Sequence, residues 1–467
     1  MKKLIAMLLV LVMAVSLFAG CQETKKETGT TTTPATTPDT TPDTTPDTTP
    51  DTTPDTTPDT TPSTEVKGSV YYLNFKPEAD AAWQELAALY TEQTGVPVKV
   101  VTAASGDYST TLNAQMGKEG APTIYNIGNM SGVKDWDDYA LDLTGADFVG
   151  ELTTSDFNLY NENGELKAVG YCYESFGIIV NTKLLADAGY TLADITDFAS
   201  LQAVVEDITA RSEELGFAAF SSAGLDGSSS WRFSGHLANM PLYYEFRDDG
   251  VTEQPAEITG AYMDNFRNIW DLYINNSTCS GTDLPGKTGD NSKADFTEGK
   301  AVFYQNGTWE YAGLIEAGMT DDQLAMIPIY CGVEGEENAA LCSGTENCWA
   351  INSKASAEDI QASLDFLYWV VTSAEGTTMM VEQFGAVPFK SAPASTNVFI
   401  VNGNEMLAEG KYAVTWAFNH TPNVDSWRAG VVTALAAYSA DPTDANWEGV
   451  VDAFVTGWAI EYATVNG

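Results

Sequence analysis

From residue 70 onward, short apolar runs alternate with longer stretches whose apolar positions recur at helical spacing. Val70-Tyr71-Tyr72-Leu73 has the pattern of a buried strand, and Pro77 opens a helix carrying Trp83, Leu86, Ala87 and Tyr90 on one face. Gly95 stands where that helix must end, and residues 96–101 return as a strand. Residues 111–116 read as helix and Ile124-Tyr125 as strand. The turn residues 161–164, between 157–159 and 166–169, predict a hairpin. Further helices are predicted over 201–215, 262–273, 357–372 and 447–462. Strands separated by helices imply an α/β fold with mainly parallel sheets, and this length implies two of them.

The first 66 residues break this pattern. Lys2 and Lys3 precede an apolar run from Leu4 to Val15, the form of a secretory signal and short for a permanent membrane span. Leu17-Phe18-Ala19-Gly20-Cys21 resembles the lipobox of bacterial lipoproteins, which implies loss of residues 1–20 as a signal peptide and lipidation of Cys21. The plainer alternative is an ordinary signal cut near Ala19 or Gly20. From Thr36, six consecutive Thr-Thr-Pro-Asp units run to Asp59. Proline at every fourth position blocks helix and ladder alike, and the evenly spaced Asp charges repel one another. Residues 21–66 are therefore expected to be a lipidated N-terminus on a disordered tether, reaching roughly 140 Å at polyproline pitch, bare or glycosylated.

The chain holds 65 Asp plus Glu against 22 Lys plus Arg, a net charge of -43. Only nine acids and four lysines lie in residues 1–66, so the acidity belongs to the part that folds. Such a field argues against nucleic acid and against docking on anionic lipid, and it favours a neutral ligand over an anionic one. Apart from Cys21, five cysteines remain, so at least one is unpaired within the chain. Cys342 and Cys348 either bridge the loop between them or are small buried residues.

Four stretches, in order, resemble the extracellular solute-binding proteins of the maltose-binding type. Residues 70–101, with strand, helix, Thr94-Gly95 and strand, are similar to that family's N-terminus. Tyr173-Glu174-Ser175-Phe176-Gly177-Ile178-Ile179-Val180-Asn181 and the Thr182-Lys183-Leu184-Leu185 after it look like the first crossing between lobes. Residues 295–309, Asp-Phe-Thr-Glu-Gly-Lys-Ala-Val-Phe-Tyr-Gln-Asn-Gly-Thr-Trp, are the most specific match: helix, turn, strand, then a small-residue loop carrying a tryptophan. The block from Cys348-Trp349-Ala350-Ile351-Asn352 to Phe384-Gly385-Ala386-Val387-Pro388 resembles the second crossing and the helix behind it. The resemblance implies a two-lobed type II periplasmic-binding-protein fold, with lobes at 68–173 plus 343–395 and at 174–342 plus 396–467. It implies a monomeric receptor that closes on an oligosaccharide and delivers it to the permease subunits of an ABC transporter, with no cofactor and no catalysis. The anchor on Cys21 would hold it to the outer face of the cytoplasmic membrane.

Carried over position by position, the resemblance makes Trp309 the stacking tryptophan, with Asn306 beside it, and Glu174 a crossing carboxylate that meets sugar hydroxyls. Asn74 and Glu78 follow the first strand, where the family keeps polar contacts, although Lys76-Pro77 departs from the maltose-binding pattern. Asn126 and Asn129 stand where maltose binders carry an acid and an arginine. Trp231, Arg232 and His236 place an aromatic and two donors in a serine-rich stretch. Glu346 lies close to the second crossing, and Trp416 with Phe418 forms a candidate far wall. Saccharide chemistry independently asks for such groups, because flat C–H faces stack on aromatic rings and hydroxyls need paired polar partners. Each residue also has a plainer role: a core tryptophan, an asparagine in a turn, an arginine paired with one of many acids, a satisfied structural histidine.

Other chemistries have less support. Gly281-Thr282-Asp283-Leu284-Pro285-Gly286-Lys287-Thr288 fits the phosphate-loop pattern, but it follows a loop and no apolar helix is predicted directly after it. A glycoside hydrolase needs two facing carboxylates, and among 65 acids a pair is always available. The two histidines, His236 and His420, sit in no metal-binding or nucleophile motif. A lipid-anchored glycoside hydrolase and a glycan-binding adhesin remain the alternatives to transport.

Overall fold

The computed structural model describes residues 68–221 and 224–467, so the expected signal, Cys21 and the tether lie outside the described residues. β1 (Val70–Asn74) passes through a 3-10 turn at Pro77–Ala79 into the helix Asp80–Thr94, which buries Trp83, Leu86 and Tyr90. The helix ends at Gly95 in the left-handed conformation, φ 72°. β2 (Val98–Thr102), β3 (Ile124–Asn126) and the hairpin of β4 (Leu159–Tyr160) with β5 (Leu166–Gly170) follow. Residues 171–173 then carry the chain into β6 (Glu174–Asn181), β7 (Ala218–Phe220), β8 (Ala301–Gly307), β9 (Leu324–Ile327) and β10 (Ala339–Gly344). Residues 345–347 return it to β11 (Cys348–Ile351) and the helices Ala357–Thr372 and Ala374–Gln383. A third passage leads to β12 (Tyr412–Thr415) and the packed helices Val424–Ala440 and Asp444–Asn466.

The first sheet has the order β2-β1-β3-β11-β5-β4, and the second β12-β10-β6-β8-β7 with β9 also on β6. Each sheet is mixed where the alternation of strands and helices implied mainly parallel pairing. Parallel pairs join β1 to β2 and β3, β7 to β8, and β10 to β12. β5, β6, β10 and β11 carry the crossings and so either leave or arrive at the facing edge, which makes β11 antiparallel to β3 and β5, and β6 antiparallel to β8 and β10. Ser343 and Gly344, expected in the first lobe, pair with Ser175 and Glu174 in the second sheet. The helix expected over 201–215 is broken at Arg211 into Phe198–Ala210 and Ser212–Leu215.

Each sheet has its own core. In the first, Trp83 stacks on Phe384 at 4.7 Å and Tyr171 on Trp349 at 4.2 Å. In the second, Trp270, Trp427 and Trp458 are fully buried around β6 and β8. The five described cysteines are free thiols, and Cys342 and Cys348 lie in different sheets, so the loop between them is not bridged. A helix, Gly289–Thr297, begins directly after the Gly281–Thr288 pattern, capped by the Thr288 hydroxyl, but it is a polar one that buries only Ser292 and Phe296, so no apolar helix follows the pattern. The strand that a phosphate loop requires is still missing: the pattern holds only a 3-10 turn, Leu284–Gly286, after the helix Met263–Asn275.

Candidate functional site

The two sheets face each other through the ends of β1 and β3 and the start of β11 on one side, and the start of β6 and the ends of β8 and β10 on the other. Loops and helix ends meet across this gap: the Ser105 hydroxyl donates to the Ser228 carbonyl at 2.9 Å, and Lys134 of the helix Met130–Trp136 donates to Asn466, the last residue of the helix Asp444–Asn466, at 3.3 Å.

β8 delivers the principal aromatic. Tyr304, Gln305 and Asn306 are buried, and the 3-10 turn Thr308–Glu310 lifts Trp309 into a half-buried position. Its ring folds back over Gly307, where any Cβ would collide with it. Trp231, anchored by its Nε1–H on the Ser228 carbonyl at 3.0 Å, lies 6.0 Å from Trp309 between ring centroids. His236 completes the group, 5.0 Å from Trp231 and 5.4 Å from Trp309, and belongs to the π-helical turn Arg232–Leu237, a form common at functional sites. It stacks on Phe176 of β6 at 3.9 Å, and its Nδ1 accepts from Gln305 Nε2 at 2.8 Å. Burial first, then the charges of Arg232 and Arg428, hold His236 well below its usual range, so it is neutral.

A buried polar chain connects Arg232 and Asn306. Arg232 Nη1 donates to the Tyr304 hydroxyl at 3.2 Å, and Asn306 Nδ2 donates to the same oxygen at 2.6 Å and to Glu310 at 3.0 Å. Glu310 pairs with Lys293 at 2.8 Å.

The residues carried over near the first strand have a different arrangement. Glu174 forms a buried ion pair with Lys76 and accepts from Asn347 Nδ2 at 2.6 Å, while Glu78 stands exposed 3.4 Å from the same ammonium. Asn74 is fully buried and fixes the Lys76 backbone, accepting from its N–H at 3.0 Å and donating to its carbonyl at 2.7 Å. Burial alone would lower Lys76; the charges of Glu174 and Glu78 outweigh it and hold the ammonium above its usual range. Burial also raises Glu174, with Lys76 pulling it back. The direct contact with the Glu174 carboxylate keeps the Lys76 ammonium protonated.

Asn126 is buried, its Oδ1 accepting from the Tyr72 hydroxyl at 3.1 Å and its Nδ2 donating to the Cys348 carbonyl at 3.3 Å. Asn129 caps the helix Met130–Trp136 by accepting from the Gly132 N–H. Asn129 also lines a cavity of about 440 Å³ together with Asp156, Phe157, Thr345, Trp416 and Asn419. Trp416 is 5.5 Å from Phe176, so the ring steps from Trp309 through His236 and Phe176 place it no more than about 15 Å from Trp309. Glu346 is half-buried, 4.0 Å from Arg428 Nη2. The structure thus brings Trp231, His236 and Trp309 together over Arg232 and Asn306, sets Glu174 and Glu78 around Lys76, and leaves Asn129 and Trp416 at the cavity. Sequence reasoning missed Lys76, Asn347, Gln305 and Arg428 as parts of this region. Only the departure at Lys76-Pro77 was a signal.

A family model for bacterial extracellular solute-binding proteins matches residues 85–402. The chain belongs to this family. Its fold is the type II periplasmic-binding fold of solved solute-binding proteins. RafE in complex with raffinose superposes with a TM-score of 0.68 at 14% identity, covering 84% of this chain and 99% of RafE. The GacH receptor of Streptomyces glaucescens, solved unliganded and with acarbose, gives 0.61 at 18% identity, covering 86% and 97%. An ABC substrate-binding protein of Listeria monocytogenes in complex with cycloalternan gives 0.63 at 13% identity, covering 86% and 98%. Comparison with curated proteins gives no match.

Proposed function

We propose that this solute-binding protein is the lipid-anchored receptor of an ABC importer. It captures a neutral oligosaccharide between its lobes by hinge closure and passes it to the permease subunits. The observation that carries the reading is the half-buried pair Trp231 and Trp309, 6.0 Å apart at the end of β8 and backed by a neutral histidine. Indole faces of this kind stack on the C–H faces of sugar rings, and a buried polar floor beneath them restricts their motion. That three structurally similar receptors were solved with raffinose, acarbose and cycloalternan supports the same ligand class. The lipobox-like Leu17-Phe18-Ala19-Gly20-Cys21 supports anchoring at Cys21. Titration with raffinose and with malto-, xylo- and chito-oligosaccharides is expected to quench tryptophan fluorescence and raise the melting temperature for at least one of them. Trp309→Ala is expected to abolish both responses. Turnover of a glycoside by the pure protein would establish the hydrolase reading instead, and binding only to insoluble wall or mucin would establish the adhesin.

A further inference from the structure

Arg428 sits in the second turn of the helix Val424–Ala440, with its guanidinium 5.1 Å over the ring of Phe418. Nη2 also comes within 3.2 Å of where a Cβ on Gly235 would stand, so the group packs against both a ring and a glycine. Yet Nε is buried without a partner, and Arg428 makes no hydrogen bond among the described residues. Its one carboxylate partner among them, Glu346 Oε1, is 4.0 Å from Nη2, beyond hydrogen-bond reach. Glu346 belongs to the crossing 345–347 and packs its Cβ against Gly128 of the first lobe. Its carboxylate accepts no hydrogen bond among the described residues. Side-chain exposures of 18% and 22% leave both groups reachable from solvent. A donor fork and an acceptor therefore stand 4.0 Å apart on different elements, each with unused capacity and close enough for one hydroxyl beside them to reach both.

We infer that Arg428 and Glu346 are the hydroxyl-reading pair of this site and together take a vicinal diol of a neutral saccharide. A hydroxyl both donates and accepts, so a diol receives from the guanidinium and gives to the carboxylate, which neither group achieves alone. The pair carries no net charge, so an acidic substituent at the same place meets Glu346 directly. The inference rests on the saccharide reading and supplies the polar specificity contact that the aromatic group lacks.

The test is calorimetric titration of the intact protein with raffinose, maltotriose, xylotriose and chitotriose, repeated on Glu346→Gln, Arg428→Met, Arg428→Lys and the Glu346→Gln/Arg428→Met double variant. For each trisaccharide that the unmodified protein binds, Glu346→Gln and Arg428→Met are each expected to weaken affinity by about 10- to 100-fold, as for a lost charged hydrogen bond. The double variant is expected to be little worse than either single one, and Arg428→Lys, which lacks the fork, to remain weak. If Arg428→Met fails to fold, Arg428→Lys and Glu346→Gln carry the test. Affinities within twofold of the unmodified protein, in a protein where Trp309→Ala does abolish binding, would overturn the pair and leave the saccharide reading standing. Losses that simply add in the double variant would overturn it too, as would tighter binding of a glucuronate-bearing oligosaccharide than of its neutral parent. No heat with any of the four sugars would instead remove the saccharide reading itself.

Discussion

Lys76→Met tests the buried pair at the first crossing. Lys76 and Glu174 are 2% and 5% exposed, and among the described residues the lysine is the one cation paired with this carboxylate. Methionine nearly matches the lysine stem in volume, so the loss is chiefly that of a charge opposite a desolvated carboxylate, about 3–5 kcal/mol. At the usual unfolding entropy per residue, a folded chain of some 400 residues loses about 4–6 °C in melting temperature. The pH dependence follows from Glu174, which burial raises and Lys76 pulls down. Without Lys76, burial acts almost unopposed, and the folded-state value rises further above the unfolded value of about 4.3. An acid shifted that way is most favourable below its unfolded value and loses stability as pH rises through its folded value. The deficit of Lys76→Met should therefore be smallest near pH 4 and complete above the raised value. Lys76→Met/Glu174→Gln should recover most of it, because neither charge is then left alone. The assay is denaturant unfolding of both variants between pH 4 and pH 8. A deficit under about 1 kcal/mol at pH 7, or one that does not vary with pH, would refute the account of the pair as desolvated.

Gly307→Ala should push the Trp309 ring off its seat, since a Cβ there collides with it; saccharide affinity should fall at least about tenfold, the equivalent of a displaced aromatic contact, with little change in far-UV circular dichroism. Of the five described thiols, only Cys279 is half-buried, and burial raises all five. Iodoacetamide should therefore label Cys279 first in the native protein and the other four only on unfolding, and reductant should leave the melting temperature unchanged.

Local chemistry was legible where neighbours in sequence are neighbours in space. Pro77 and Gly95 bracketed a helix; Trp309 after Gly307-Thr308 marked the end of β8; the 161–164 turn closed a hairpin. Pairings set by the crossings were not. Lys76 and Glu174 are 98 residues apart, and nothing in the periodicity of either segment points to the other. The strand directions were misjudged for the same reason, because a strand that leaves its sheet for the other lobe looks like any other apolar run. Asn74 and Asn126 show the remaining gap: their positions at strand ends were read correctly, but buried strand ends have backbone groups to satisfy, and these side chains serve that need.

β11 has a consequence for how the molecule assembles. It lies between β3 and β5, yet it is made more than 170 residues after both of them. Until Cys348–Ile351 is available, the first sheet is two fragments with bare inner edges, open to pairing with other chains. Closure of a loop that long makes folding slow, and it ties completion of the early part of the chain to synthesis of the late part. A version truncated before residue 348 should therefore be an aggregating species and not a half-receptor, and refolding should be concentration-sensitive until the central strand has docked.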